Sequence, residues 1–321
     1  MGGDLRVPAA VQPPECPSMH ELLVIQYSMA ALTTNACAAQ GEASMSDAPI
    51  DPLLRRQRVQ FCTSAGDKIE TEAVFQDTLP SGSSVGTVVA IHGAPGSHKD
   101  YKYVTPLLQQ KGIRFIGVNM PGFGLTPGDS RLKCNNVERN NFVHELITCI
   151  GNVNRLIVMG HRQIVRASTG KSNRPPSSSS VYNSVLGLRL DTGERAMMCV
   201  RTMYSLEYEK GLRPNIDAIN ETEDVRVLVA YAGKDPLIEA SISRDLANSF
   251  HDHKELSCED KSDDVEKSVI QQTGTLFNSG VRTVSVNFKK DGHFLQKDRA
   301  RFIAEGIEAM LRKAIDLIRV F

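Results

Sequence analysis

The stretch that decides the fold is Gly86-Thr87-Val88-Val89-Ala90-Ile91-His92-Gly93-Ala94-Pro95-Gly96. Its first six residues form a short apolar run without polar alternation. Such a run suits a strand buried on both faces, as in a parallel sheet covered by helices. The Gly and Pro residues that follow end it sharply. Working outward, Asp100–Lys111 reads as a helix closed by Gly112, and Ile113–Val118 is a second buried-type strand. Asn136–Ile150 places Val137, Phe142, Val143, Leu146, Ile147 and Ile150 near one helical face. Arg155–Met159 is a third buried-type strand. Strand, helix, strand, helix, strand is the signature of a doubly wound parallel sheet.

The pattern resumes later, with strands at Val225–Tyr231 and Val281–Phe288 and a helix at Glu239–Phe250. Lys297–Val320 reads as a long amphipathic helix. Upstream, Gln57–Ser64 and Lys68–Gln76 alternate with period two, and Ser64-Ala65-Gly66-Asp67 supplies turn residues between them. This pair is predicted to be an antiparallel hairpin on the edge of an otherwise mostly parallel sheet. The expected class is therefore α/β.

Composition narrows the function. The chain has 321 residues, 41% of them hydrophobic and 23% charged, as in a soluble globular protein. Lys+Arg and Asp+Glu both number 37. A neutral balance argues against a nucleic-acid partner. No apolar run is long enough to predict a membrane span. The seven cysteines lack the paired spacing of a zinc site and suit a reducing compartment. The expectation is a cytoplasmic protein without metal or organic cofactor. Residues 1–52 lack sustained periodicity and read as a disordered or loose tail. Leu22–Leu32 followed by Ala36-Cys37-Ala38 offers the alternative of a secretory signal. Residues 53–321 form the main domain, in which 162–195 is an irregular, low-complexity insert and 196–222 a remnant of a lid.

Three strands run into turns with chemical content: His92-Gly93-Ala94-Pro95-Gly96 after Ile91, Asn119-Met120-Pro121-Gly122-Phe123-Gly124 after Val118, and Gly160-His161-Arg162 after Met159. Here the chain resembles the α/β-hydrolase superfamily, and Gly86–Tyr103 with Ile113–Pro127 resemble a helminth α/β-hydrolase family of unknown function. The likeness covers roughly residues 57–161 and 196–312. It implies a crevice at the strand C-termini, hydrolysis of an ester-like or related acyl bond, and an apolar or acyl small-molecule ligand. It implies that the backbone N–H groups of Ala94 and Gln163 hold the oxyanion, with His92, Gly93, Gly160 and His161 as supporting loop residues. Asp235, just after the strand Val225–Tyr231, stands where the family has its triad acid, with Glu239 as the weaker substitute. His293, between the last strand and the last helix, stands where it has its general base.

The expected nucleophile elbow is Gly-x-Ser-x-Gly. This chain reads Gly160-His161-Arg162-Gln163-Ile164. A guanidinium stays protonated and does not attack a carbonyl. Ser97, Ser168 and Cys199 are the substitutes to weigh. The abrupt change over 162–195, bracketed by family-like sequence, fits either genuine divergence or an intron read-through or shifted frame. Two readings follow: a weakly active or inactive hydrolase, or a non-catalytic module that binds a small molecule or protein in the old crevice. Ser168-Thr169-Gly170-Lys171-Ser172 imitates the tail of a phosphate-binding loop, but Val165 occupies the position of its first glycine.

Overall fold

The computed structural model describes residues 22–27, 51–162, 193–204, 212–236 and 238–316. Its strands are β1 (Leu22–Tyr27), β2 (Leu54–Cys62), β3 (Lys68–Asp77), β4 (Thr87–Ile91), β5 (Arg114–Val118), β6 (Leu156–Arg162), β7 (Val227–Ala232), β8 (His253–Cys258) and β9 (Thr283–Phe288). They form one sheet in the order β2-β3-β5-β4-β6-β1-β7-β9-β8. β2 and β3 pair antiparallel, as do β3 and β5, and every other pairing is parallel.

Period-two side-chain alternation sorts the central strands between two helical layers. Val88, Ala90, Phe115, Ile157, Met159, Leu228, Ala230, Val284 and Val286 face one core, which they share with Phe302, Ile303 and Ile307 of the helix Ala300–Asp316. Val89, Ile116, Val118 and Leu156 face the other, with Phe142 and Leu146 of the helix Asn136–Ile150. Both faces are covered, which is why these strands read as unbroken apolar runs. Each fully buried Leu, Ile or Phe contributes about 1.5–3 kcal/mol.

The hairpin forms as the alternation predicts. Gly66 takes a positive φ of 93° at its turn, and Thr63 N–H donates to the Asp67 carbonyl at 2.8 Å. The fully buried Arg114 ties this edge down with a bidentate hold on Asp77, at 3.0 and 2.7 Å. The helix expected at Asp100–Lys111 is instead two pieces. A 3-10 turn, His98–Tyr101, is capped by Ser97, and the helix Thr105–Gln110 starts with proline in its first turn. The last helix also starts in two pieces, Leu295–Asp298 and Ala300–Asp316, with Arg299 between them held to Asp291.

The larger departure is β1. Leu22–Tyr27 lies within the segment expected as a loose tail, yet it forms a strand between β6 and β7, parallel to both. The rest of residues 1–50 lies outside the described residues. β8 and the helices Arg213–Glu221 and Asp263–Asn278 were also not anticipated. His253 starts β8, and His98 is buried. The helix Gly193–Tyr204, drawn partly from the segment expected as a lid remnant, buries Met198 and Cys199 in the core of Ala94, Phe123 and Phe142. Nearly all of the irregular insert 162–195 lies outside the described residues.

Candidate active site

The sheet register sets the site. Ile91 of β4 pairs with Val118 of β5 and with Gly160 of β6, so the loops that follow these strands leave the sheet at one level. Ala232 of β7 pairs with Phe288 of β9 near the same edge, so two further loops rise together. Ligand sites of open α/β sheets form at such an edge.

The loops after β7 and β9 interlock. Gly233 N–H donates to the Phe288 carbonyl at 2.9 Å, and Lys234 N–H donates to the Asp291 carbonyl at 3.0 Å. Position 233 admits only glycine at this spacing, because a Cβ there would stand 2.7 Å from the Lys289 Cα. The interlock brings Asp235 and His293 together, with His293 Nδ1 3.3 Å from Asp235 Oδ2 and 3.5 Å from Oδ1. Both side chains are buried. Asp235 Oδ1 also accepts from Ile238 N–H at 3.2 Å, which fixes the carboxylate at the entrance to the next helix. Phe294 packs edge-on against the His293 ring.

A second layer fixes this loop. Asp291 is almost fully buried and accepts from Arg299 Nε at 2.6 Å, while Lys261 approaches its other oxygen at 3.1 Å. Arg299 also donates to the Asp260 carbonyl at 3.1 Å and lies over the Phe288 ring. Asp291 and Arg299 thus brace the His293 loop from below. Asp291 and Arg299 flank His293 in sequence, yet only the fold shows them in contact.

The loop after β4 is stapled by His92. Its Nε2 accepts from Met120 N–H at 3.0 Å, and its Nδ1 lies 2.5 Å from the Gly93 carbonyl. Those two partners assign the proton to Nδ1. His92 is therefore a neutral strut joining the loops after β4 and β5, with Phe123 against its ring. The Ala94–Pro95 peptide is cis. Gly96 allows close approach, since a Cβ there would meet Asp100 Oδ2 at 2.4 Å. Burial raises the Asp100 carboxyl to about 6. On the β5 side, buried Asn119 accepts from the His98 backbone and ring and donates to the Val74 carbonyl. Burial lowers the His98 pKa. The short helix Leu295–Asp298, directly after His293, packs against the turn His98–Tyr101. The His293 loop and the Ala94 loop are thereby neighbours.

β6, expected to lead into the nucleophile elbow, ends at Arg162, whose backbone pairs with Tyr27. Gln163, expected as the second oxyanion donor, and Ser168 lie outside the described residues. Of the substitute nucleophiles, Ser97 uses its hydroxyl to accept from Lys99 N–H at 3.2 Å, and Cys199 is fully buried with its thiol pushed up to about 12. Neither is activated. Among the described residues no group of three or more His, Cys, Asp or Glu side chains is placed to hold a metal ion, and no helix is long and apolar enough to cross a membrane.

Comparison with known proteins bears on this geometry. The model of the family "Alpha/beta hydrolase of unknown function (DUF1057)" matches residues 51–166 and 163–312. A Caenorhabditis elegans protein, "Uncharacterized protein F35H12.5", is 26% identical over 316 residues, covering 81% of this chain and 88% of its own. Among solved structures, a thermophilic esterase from Thermogutta terrifontis superposes with a TM-score of 0.52 at 12% identity, over 81% of this chain and 98% of its own. The haloalkane dehalogenase DbeA from Bradyrhizobium elkani USDA94 gives 0.50 at 13%, over 81% and 97%. At such identities the likeness is one of fold.

Proposed function

Because this chain belongs to the α/β-hydrolase family DUF1057, we propose that its crevice is an acyl-bond hydrolysis site in which base and acid are assembled and the nucleophile position is not. His293 would take a proton from the attacking group, and Asp235 would hold the imidazole in the required tautomer. Ala94 N–H would stabilise the developing oxyanion, a contribution of about 3–4 kcal/mol per donor in such sites. Gln163 N–H is the second donor on this reading. Arg162 occupies the place of the serine, so the protein as given hydrolyses esters very slowly or not at all. The ligand is a small acyl compound with an apolar body.

The observation that carries this reading is the 3.3 Å approach of His293 Nδ1 to Asp235 on two interlocked loops beside the Ala94 loop. The test is p-nitrophenyl butyrate hydrolysis together with labelling by a fluorophosphonate probe. Wild-type protein is expected to show neither, and Arg162→Ser is expected to gain both. Wild-type turnover that survives in Arg162→Ala but vanishes in His293→Ala would refute the placement of the defect at Arg162. The second reading, a non-catalytic binding module, is favoured by the arginine itself. It predicts that a small acyl ligand stabilises the wild-type protein against heat while Arg162→Ser stays inert. Sequencing the transcript across codons 160–196 separates the two cheaply, since a serine-bearing elbow there would favour the enzyme.

A further inference from the structure

A narrow cleft opens beside the Ala94 loop, walled by apolar side chains such as Phe61 and Phe123. Arg139, one turn into the helix Asn136–Ile150, lines it and is half-buried. No hydrogen bond or ion pair among the described residues engages its guanidinium. The buried arginines Arg114 and Arg299, by contrast, each hold a carboxylate.

The polar groups around Arg139 are already committed or neutral. Glu138, also in the lining, accepts from Ser64 N–H at 3.1 Å, Ser64 Oγ at 3.0 Å and Cys134 N–H at 2.7 Å. Three donors spend its charge on the loops around the helix start. Thr202 donates its hydroxyl to the Met198 carbonyl at 2.9 Å. Burial pushes the Cys134 thiol up to about 11 and the Tyr101 phenol well above its usual value, so neither is an anion at neutral pH. Tyr101 instead donates to the Ile91 carbonyl at 2.8 Å. An arginine keeps its proton and is costly to bury without a counter-charge. Its planar fork matches a carboxylate in a bidentate pair.

We propose that this cleft binds the carboxylate of the ligand through Arg139, while the apolar wall takes the ligand's hydrocarbon body. Resting on the acyl-bond reading above, this makes the substrate class an ester or amide that also carries a free carboxylate. The carboxylate is held at Arg139, and the cleavable carbonyl is presented at Ala94, which lines the same cleft.

The test is binding, read without turnover. Thermal unfolding of the full chain is followed with phenylacetate and with its neutral isostere phenylacetamide, in wild type, Arg139→Met, Arg139→Gln and His293→Ala. Phenylacetate is expected to raise the Tm of wild type and His293→Ala by several degrees at saturating concentration, and phenylacetamide to leave it unmoved. Both Arg139 variants are expected to lose the shift, and Arg139→Gln keeps the proposal testable if Arg139→Met does not fold. An equal shift from phenylacetamide, or a phenylacetate shift that survives in Arg139→Gln, overturns the proposal. A carboxylate-specific, Arg139-dependent shift in a protein whose Arg162→Ser form stays inert would sink the hydrolase reading alone. Turnover by that form without any carboxylate shift would sink this one alone.

Discussion

On one side of the crevice, Asp235 and His293 stand on loops from adjacent strands whose backbones interlock. On the other, β6 ends in Arg162, which the proposed function puts in the place of a nucleophile. The first side is held by layered contacts. Gly233 lets two backbones touch, and Arg299 and Asp291 brace the loop beneath. The Ala94 loop is equally well fixed, by His92 between Gly93 and Met120. Preorganisation of that kind costs stability unless every buried polar group finds its partner. On the function proposed above, the contrast is between a scaffold for acid–base chemistry that stands assembled and a nucleophile position that holds an arginine.

The contrast breaks most severely if the brace is removed. Arg299→Met leaves Asp291 buried with only the exposed Lys261, 3.1 Å from its other oxygen, as a partner. The expected loss is about 3–5 kcal/mol in urea unfolding. Arg299→Lys should recover part of it. A loss below about 1 kcal/mol would show that the brace is not needed.

Next in size is Gly233→Ala. Its Cβ would meet backbone rather than a yielding side chain, so the loops after β7 and β9 must part. A destabilisation of about 1–3 kcal/mol is expected. Any activity gained in Arg162→Ser should fall in the double variant, because Asp235 moves away from His293. Unchanged activity there would separate the interlock from the chemistry.

A pH effect tests the loop that carries Ala94. Asp100 has a folded-state pKa of about 6, above its ordinary 3.8, because burial penalises its charge. The folded state therefore binds more protons than the unfolded state between those values. Its contribution to stability is fully present below about pH 4 and lost as pH rises towards 6. Asp100→Asn should flatten that slope and raise stability at pH 7.5 by up to about 3 kcal/mol. Tm measured from pH 4.5 to 7.5 checks it, and parallel curves for the two proteins would be the contrary result.

The legibility of the sequence follows the same division. Strands buried on both faces, such as Val88–Ile91 and Phe115–Val118, announce themselves as apolar runs, and the hairpin by its alternation. Asp235 and His293 were legible through the family resemblance, which looks for its acid and its base in the loops after these two strands; that β7 and β9 are neighbours, which brings the loops together, came only with the fold. β8 was not legible, because His253–Cys258 is a sheet-edge strand with exposed positions and only Cys258 fully buried. β1 was not legible either, since four apolar residues in a row do not distinguish strand from helix and its partners lie more than a hundred residues away. Arg139 escaped notice because it sits in a polar run, Asn135–Asn141, and only the helical turn to Phe142 and Val143 gives it an inward position. Single-residue chemistry next to a ligand cleft carries no periodic signal.

The most direct test of the assembled acid–base pair is the initial rate of p-nitrophenyl butyrate hydrolysis by Arg162→Ser and by Arg162→Ser/His293→Ala. General-base catalysis of this kind is worth about 10²–10⁴-fold, so the single variant should exceed the double by at least about a hundredfold. Equal rates in the two would mean that His293 and Asp235, close as they stand, do not form a working base.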